Sequence, residues 1–323
     1  MTNQTSGLRL PIAVGVDGST DAVRAMEFAV QEAKRQHCGL RVVHAAHDAR
    51  SVTPMLPLLS SETLQEVGRR FVTEAIAEVD RMSGGQVETE AAVSADSAVS
   101  ALVEASKDAR LVVLGHREVG VVGRILTHFT TLGVAARARC PVLSVPATWQ
   151  RDKDFGVVVA GIDGSSASRE VLTVAFAAAA ARRATLRVVH AWRVPVVYDD
   201  LLEPVGAEEE WRTQSEPVIS EILAGWRTDY PDVAVEVDLR YQRTADALVD
   251  ASATADLLVI GRHGQAGRMS GLPGMPLGSI ARTLLHHAHC PVEIAPQRKS
   301  EREPAAAHQA HSSKDEPISA PLY

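Results

Sequence analysis

Short, almost wholly apolar runs alternate along the chain with longer segments whose apolar residues recur every three or four positions. Ile12–Val16 and Val157–Ile162 are β-branched runs of the first kind, as strands buried on both faces of a parallel sheet require. Each ends in Asp-Gly-Ser, where a serine or aspartate can cap a following helix. After the first run, Ala22, Met26, Ala29, Val30 and Ala33 share one helical face, closed by Gly39. The pattern then predicts a strand at Leu40–Ala45, a helix over roughly Glu62–Met82 and a strand at Val87–Val93. A helix at Ala98–Ala109 and a strand at Leu111–Leu114 follow. A glycine-dotted loop, a short helix and a last strand at Pro141–Val145 complete the series.

The series occurs twice. LRVVHA at 40–45 returns unchanged at 186–191, a shift of 146. The same shift lays Val14–Ser19 (VGVDGS) on Ala160–Ser165 (AGIDGS), and Leu111–Gly115 on Leu257–Gly261. Further on the shift is 150, taking Cys140-Pro141-Val142 to Cys290-Pro291-Val292, so four residues are inserted between 262 and 289. A period this long means two whole domains rather than a solenoid. We place them at 9–147 and 155–297, joined by a polar stretch near Ala147–Asp154. Residues 298–323 are polar, rich in Ala, His, Ser and Pro, and without periodicity; they read as a disordered tail. Regular strand–helix alternation predicts an α/β class of two repeated open parallel sheets, helices on both faces and right-handed crossovers.

Composition narrows the function classes. At 323 residues, 46% hydrophobic and 23% charged, the chain is an ordinary globular protein. No apolar run approaches the ~18 residues of a membrane helix, and the N-terminus lacks a secretory pattern. A soluble, cytoplasmic protein is expected. The three cysteines, Cys38, Cys140 and Cys290, form no CxxC pair. Cys38, near a helix end, reads as a quiet, partly buried thiol. A net charge of −7 and 13 aromatic residues argue against a nucleic-acid surface.

In such sheets ligands bind beyond the strands' carboxyl ends, where the strand order reverses. Two loops in each copy sit there: the Asp-Gly-Ser turn, and the loop after the fourth strand, opening at Gly115 or Gly261. The second copy's version carries glycines at 261, 264, 267, 271, 274 and 278, which let backbone amides approach an anion. Gly278-Ser279 then opens a helix whose first amides favour phosphate. A P-loop, a dinucleotide fingerprint, HExxH and GxSxG are all missing. His286, His289 and Cys290 can share a helix face, but Cys290 begins a strand and Cys140 has no histidine neighbours, so no metal is expected. Arg262 and Arg268 can neutralise phosphates or remain solvated. His44 and His190 are expected to wall the crevice rather than act as acid or base.

In this order of motifs (V-x-V-D-G-S, RVVHA, a glycine loop before Gly-Ser, then C-P-V) the chain resembles the universal stress proteins, in tandem. The resemblance implies five-stranded sheets of order 3-2-1-4-5. It also implies ATP, with or without Mg2+, held by the first-strand aspartate and a loop of form G-x2-G-x9-G-[S/T]. Asp163, Gly261, Gly264, Gly278 and Ser279 match it in the second copy; only Asp17 and Gly115 do in the first. Thirteen residues separate Gly264 from Gly278, and that stretch costs only about 0.3 kcal/mol of closure entropy over nine. In the first copy Glu118 replaces the second glycine, and His128 and Phe129 replace Gly-Ser. A carboxylate ~5 Å from a phosphate charge costs on the order of 3 kcal/mol at an effective dielectric of 20. The second copy is therefore the better ATP site. For Asp17 and Asp163 a purely structural role, capping the first helix, stands beside the nucleotide role.

The resemblance implies a non-enzymatic ATP-binding stress regulator that forms a homodimer and acts on unidentified protein partners. The alternative is a nucleotide-free interaction module working through its surface and through the last strands, Pro141–Val145 and Pro291–Ala295, at sheet edges. Within a tandem chain those two strands could instead pair with each other.

Overall fold

A computed structural model of the chain describes residues 9–46, 61–116, 124–165, 167–192, 206–263 and 277–297. The expected tail at 298–323 lies outside the described residues. The first half runs β1 (Ile12–Gly15), α1 (Thr20–Gln36), β2 (Leu40–Ala45), α2 (Ser61–Ser83), β3 (Thr89–Ser94), α3 (Ala98–Ala105), β4 (Leu111–Gly115), α4 (Arg124–Arg137) and β5 (Val142–Val145). The second runs β6 (Val157–Ile162), α5 (Ser168–Arg182), β7 (Thr185–Ala191), α6 (Ala207–Asp229), β8 (Val235–Arg240), α7 (Thr244–Ser252), β9 (Leu257–Gly261), α8 (Ser279–His287) and β10 (Val292–Ala295).

Each half has the expected parallel order: β3-β2-β1-β4-β5, and β8-β7-β6-β9-β10. The two are one sheet of ten strands, because β5 pairs antiparallel with β10. The last strands are thus interior and cover each other's backbone groups; the exposed edges belong to β3 and β8. Leu143 lies opposite Glu293, its own counterpart at the shift of 150. A pseudo-two-fold axis therefore passes between these residues. Helices α1, α2, α5 and α6 cover one face of the sheet, and α3, α4, α7 and α8 the other.

Local chemistry sets the helix ends. Ser19 Oγ accepts from the Ala22 amide and caps α1. The residue that ends α1 in the left-handed region is His37 (φ 50°), not Gly39. Gly39 is needed for a different reason: a Cβ there would stand 3.0 Å from the Glu88 carbonyl. Helix α3 stops at Ala105, four residues short of the predicted Ala109. Ser106 Oγ turns back to the Val103 carbonyl and also receives the Arg139 amide, which fixes the chain for β5.

On the α1/α5 side the seam between the halves is polar. Arg182 of α5 meets Glu32 of α1 at 2.6 Å, with both side chains over nine-tenths buried. Glu293 projects from β10 into the same region. Burial, reinforced by the Glu32 charge and opposed by Arg182, pushes its carboxyl up to about 8. On the opposite face Arg262, just after β9, donates to the Ala136 carbonyl at 3.3 Å and to that of Ala138. It thereby satisfies carbonyls at the end of α4. Its counterpart His116 packs edge-on against His286 near the end of α8, ring centroids 5.7 Å apart. Each half so grips the last helix of the other.

Candidate functional site

The Asp-Gly-Ser turns at the carboxyl ends of β1 and β6 are built alike. Gly18 and Gly164 take φ of 78° and 75°, a conformation L-residues rarely adopt. Asp17 Oδ1 and Asp163 Oδ1 each accept from the amide two residues on, at 3.0 Å. The side-chain cap of α1 is Ser19, so the aspartates shape the turn rather than cap the helix directly. Asp163 Oδ1 also accepts from Ser168 Oγ at 3.3 Å. The RVVH histidines clamp neighbouring strand ends: His44 Nδ1 donates to the Val16 carbonyl at 2.9 Å, His190 Nδ1 to that of Ile162 at 3.0 Å. With Nδ1 so engaged, both rings serve as walls of the crevice.

The glycines that close β4 and β9 sit in different surroundings. A Cβ on Gly115 would stand 2.3 Å from the Asp21 carbonyl oxygen, inside the first turn of α1. On Gly261 it would meet nothing nearer than 3.5 Å among the described residues. The cause is the start of the adjoining helix: α5 begins at Ser168, the counterpart of Ala22, whereas α1 begins at Thr20. The second half's crevice is more open at this point.

Gly278 precedes α8, donates its amide to the Arg262 carbonyl at 2.9 Å, and would place a Cβ 3.1 Å from that oxygen. Gly278 at the N-cap of α8 has no side chain with which to accept the helix's first amides. Gly261 and Arg262 line a small hollow of about 20 Å3 with Ala167, Glu170 and Pro296. Arg262 itself is turned across the seam. Burial lowers its pKa, and its Nε has no hydrogen-bond partner among the described residues. Gly264, Arg268 and Glu118 lie outside the described residues, as do the side chains of His128 and Phe129. No group of three potential metal ligands is present among the described residues.

Aromatic residues mark the second half's crevice. The Ile162–His190 register sets Asp163 beside the end of β7, next to Ala191 and Trp192. Trp211 stacks on His190 (5.6 Å) and Trp192 stacks on Trp211 (6.3 Å), while Tyr241 tilts against both tryptophans. Trp192 remains 44% exposed. The first half has Ala46, Gln65 and Ala95 at these three positions, and there Phe71 stacks on His44. Searching for phosphate motifs missed this cluster. The signal was available in the same shift of 146 that revealed the repeat.

Two doubly wound halves, joined edge to edge through β5 and β10 and each carrying an Asp-Gly-Ser turn, define a tandem α/β protein. The universal stress protein family model matches residues 9–146 and again 155–296. The chain belongs to this family. A universal stress protein of Mycobacterium tuberculosis is 33% identical over 293 residues, covering 88% of this chain and 97% of the relative. Another, of Mycolicibacterium smegmatis, is 31% identical over 295 residues, covering 89% and 97%. A crystal structure of a universal stress protein from Archaeoglobus fulgidus superposes with a TM-score of 0.63 over 90% of this chain and 97% of that one. At 17% identity that likeness concerns the fold.

Proposed function

We propose that the chain is a non-enzymatic ATP-binding regulator whose nucleotide, with or without Mg2+, sits in the second half. The observation that carries this reading is the open surroundings of Gly261 against the blocked surroundings of Gly115. In this arrangement the backbone from Gly261 through Gly264, with Gly278, Ser279 and the start of α8, holds the phosphates. Asp163 addresses the ribose, and Trp192 offers a ring face to the base. Asp17 and Gly115 mark the degenerate counterpart. Arg262 joins the phosphates only if it leaves the α4 carbonyls, so the amides rather than a cation dominate the phosphate contacts. Hydrolysis would require a group free to orient water. Asp163 is the carboxylate nearest to that role, and it is engaged by Ser165 and Ser168.

Calorimetric titration of EDTA-washed protein with ATP and Mg2+ tests the reading. One site per chain is expected, weakened about tenfold or more by Asp163→Ala. No binding at about 1 mM ATP would refute it. The alternative, a nucleotide-free interaction module, loses the β5 and β10 edges, which are consumed inside the chain. It would have to use β3, β8 or the helical faces, as would a homodimer. Nucleotide released by acid from freshly purified protein would exclude it.

A further inference from the structure

A second cavity lies at the opposite end of β9 from Gly261. About 330 Å3 in volume, it opens where the linker Thr148–Phe155 crosses between α1 of the first half and the amino ends of β9 and β10. Its size is at the lower end of small-molecule sites, room for one ring and one anionic group. Five arginines and lysines line it against two aspartates, in a protein whose net charge is −7.

The two aspartates are already occupied by the linker's backbone. Asp256 accepts the Phe155 and Val157 amides at 2.7 and 2.9 Å, and Asp154 accepts the Gly156 amide at 3.0 Å. Arg182 is committed to Glu32, and Arg35 reaches the same carboxylate at 3.6 Å. Arg151 and Arg183 have no ion-pair partner among the described residues, and both face the cavity. The apolar wall is aromatic. Trp149 packs edge-on against Phe28 at 5.5 Å, and the Lys153 ammonium stands 4.7 Å above the Phe155 ring.

The cavity is a product of the tandem arrangement. A single linker roofs only one of the two clefts that the pseudo-two-fold axis creates. The wall on that side is not repeated either: Phe28, Gln31 and Arg35 correspond at the shift of 146 to Val174, Ala177 and Ala181. The helix face of α1 that lines the cavity is thus bulkier and more polar than its counterpart on α5. Arg183 also ends α5, where the helix dipole favours a cation. That accounts for its stability without supplying a counter-ion; a full anionic charge exceeds the half charge of the helix end.

We propose that this cavity binds a small organic anion with an aromatic body, the anionic group between Arg151 and Arg183 and the ring against Trp149 and Phe155. The proposal is independent of the nucleotide reading. Phenyl phosphate is the probe, with inorganic phosphate as the arm that carries charge without a ring. Calorimetry of the full chain should show one saturable site at about 1 mM or tighter, accompanied by a tryptophan fluorescence change that Trp149→Phe removes. The double variant Arg151→Ala/Arg183→Ala should bind at least about tenfold more weakly. Both positions are exposed, so its thermal melt should match that of the parent protein. Saturating ATP should leave the phenyl phosphate site intact, which separates this result from any failure of the nucleotide reading. No saturation by about 10 mM, equal affinity in the double variant, equal affinity for inorganic phosphate, or displacement by ATP would each overturn it.

Discussion

The two halves share strand order, turn geometry and the paired histidine clamps, yet part at one pair of glycines. At Gly115 the first turn of α1 presses on the strand end, while at Gly261 the helix begins two residues later and the space stays open. Glycines at equivalent positions thus differ in the room that the described residues leave around them. The aromatic cluster of Trp192, Trp211 and Tyr241, replaced by Ala46, Gln65 and Ala95 in the first half, falls on the open side. The two copies have diverged most where the strand end meets the following helix.

The sharpest way to break this division is at the seam that holds the halves together. Arg182→Met removes the nearer of the two cations that meet the buried Glu32 carboxylate, leaving Arg35 at 3.6 Å, and should cost about 3 kcal/mol in denaturant unfolding at neutral pH. Next comes the glycine pair itself. Gly115→Ala forces a Cβ into the Asp21 backbone and should cost about 3 kcal/mol. Gly261→Ala should change stability by less than about 1 kcal/mol while weakening ATP binding. Equal losses in the two variants would erase the contrast.

A third measurement uses pH. Glu293 titrates near 4.5 when unfolded but is pushed up to about 8 in the fold. Between those values the unfolded state holds fewer protons, so stability falls as pH rises and levels off above the upper value. From about pH 5 to pH 7 this should remove roughly 2 kcal/mol, and Glu293→Gln should flatten the decline. Leu143, the pseudo-symmetric partner, has no titration to contribute. The smallest effect separates the helix starts. Ser19→Ala should cost about 1 kcal/mol through loss of the α1 cap, whereas α5 has no side-chain cap to lose. Thermal unfolding of each variant measures it.

Much of the site was legible before any tertiary information. The Asp-Gly-Ser turns, the glycines closing β4 and β9 and the histidines ending β2 and β7 all recur at one fixed shift. Their positions follow from strands that end in turn-forming residues. Arg262 illustrates what was hidden. Its place in the loop suggests a phosphate, but its guanidinium reaches the Ala136 and Ala138 carbonyls, more than a hundred residues away. At the start of α1 the choice between serine and aspartate as cap fell to Ser19, whose Oγ accepts the Ala22 amide, while Asp17 accepts the Ser19 amide within the turn.

Sequence alone determined the repeat, because whole segments recur at one shift, and the alternation of buried strands with one-sided helices and the order of the turns, because these depend on residues close together in the chain. The antiparallel join of β5 to β10, the burial of Glu293 beside Glu32 and Arg182, the unequal room at Gly115 and Gly261, and the cation-lined cavity under the linker were decided by tertiary structure. These features arise where surfaces from separate halves meet, and the periodicity of one segment carries no record of what packs against it.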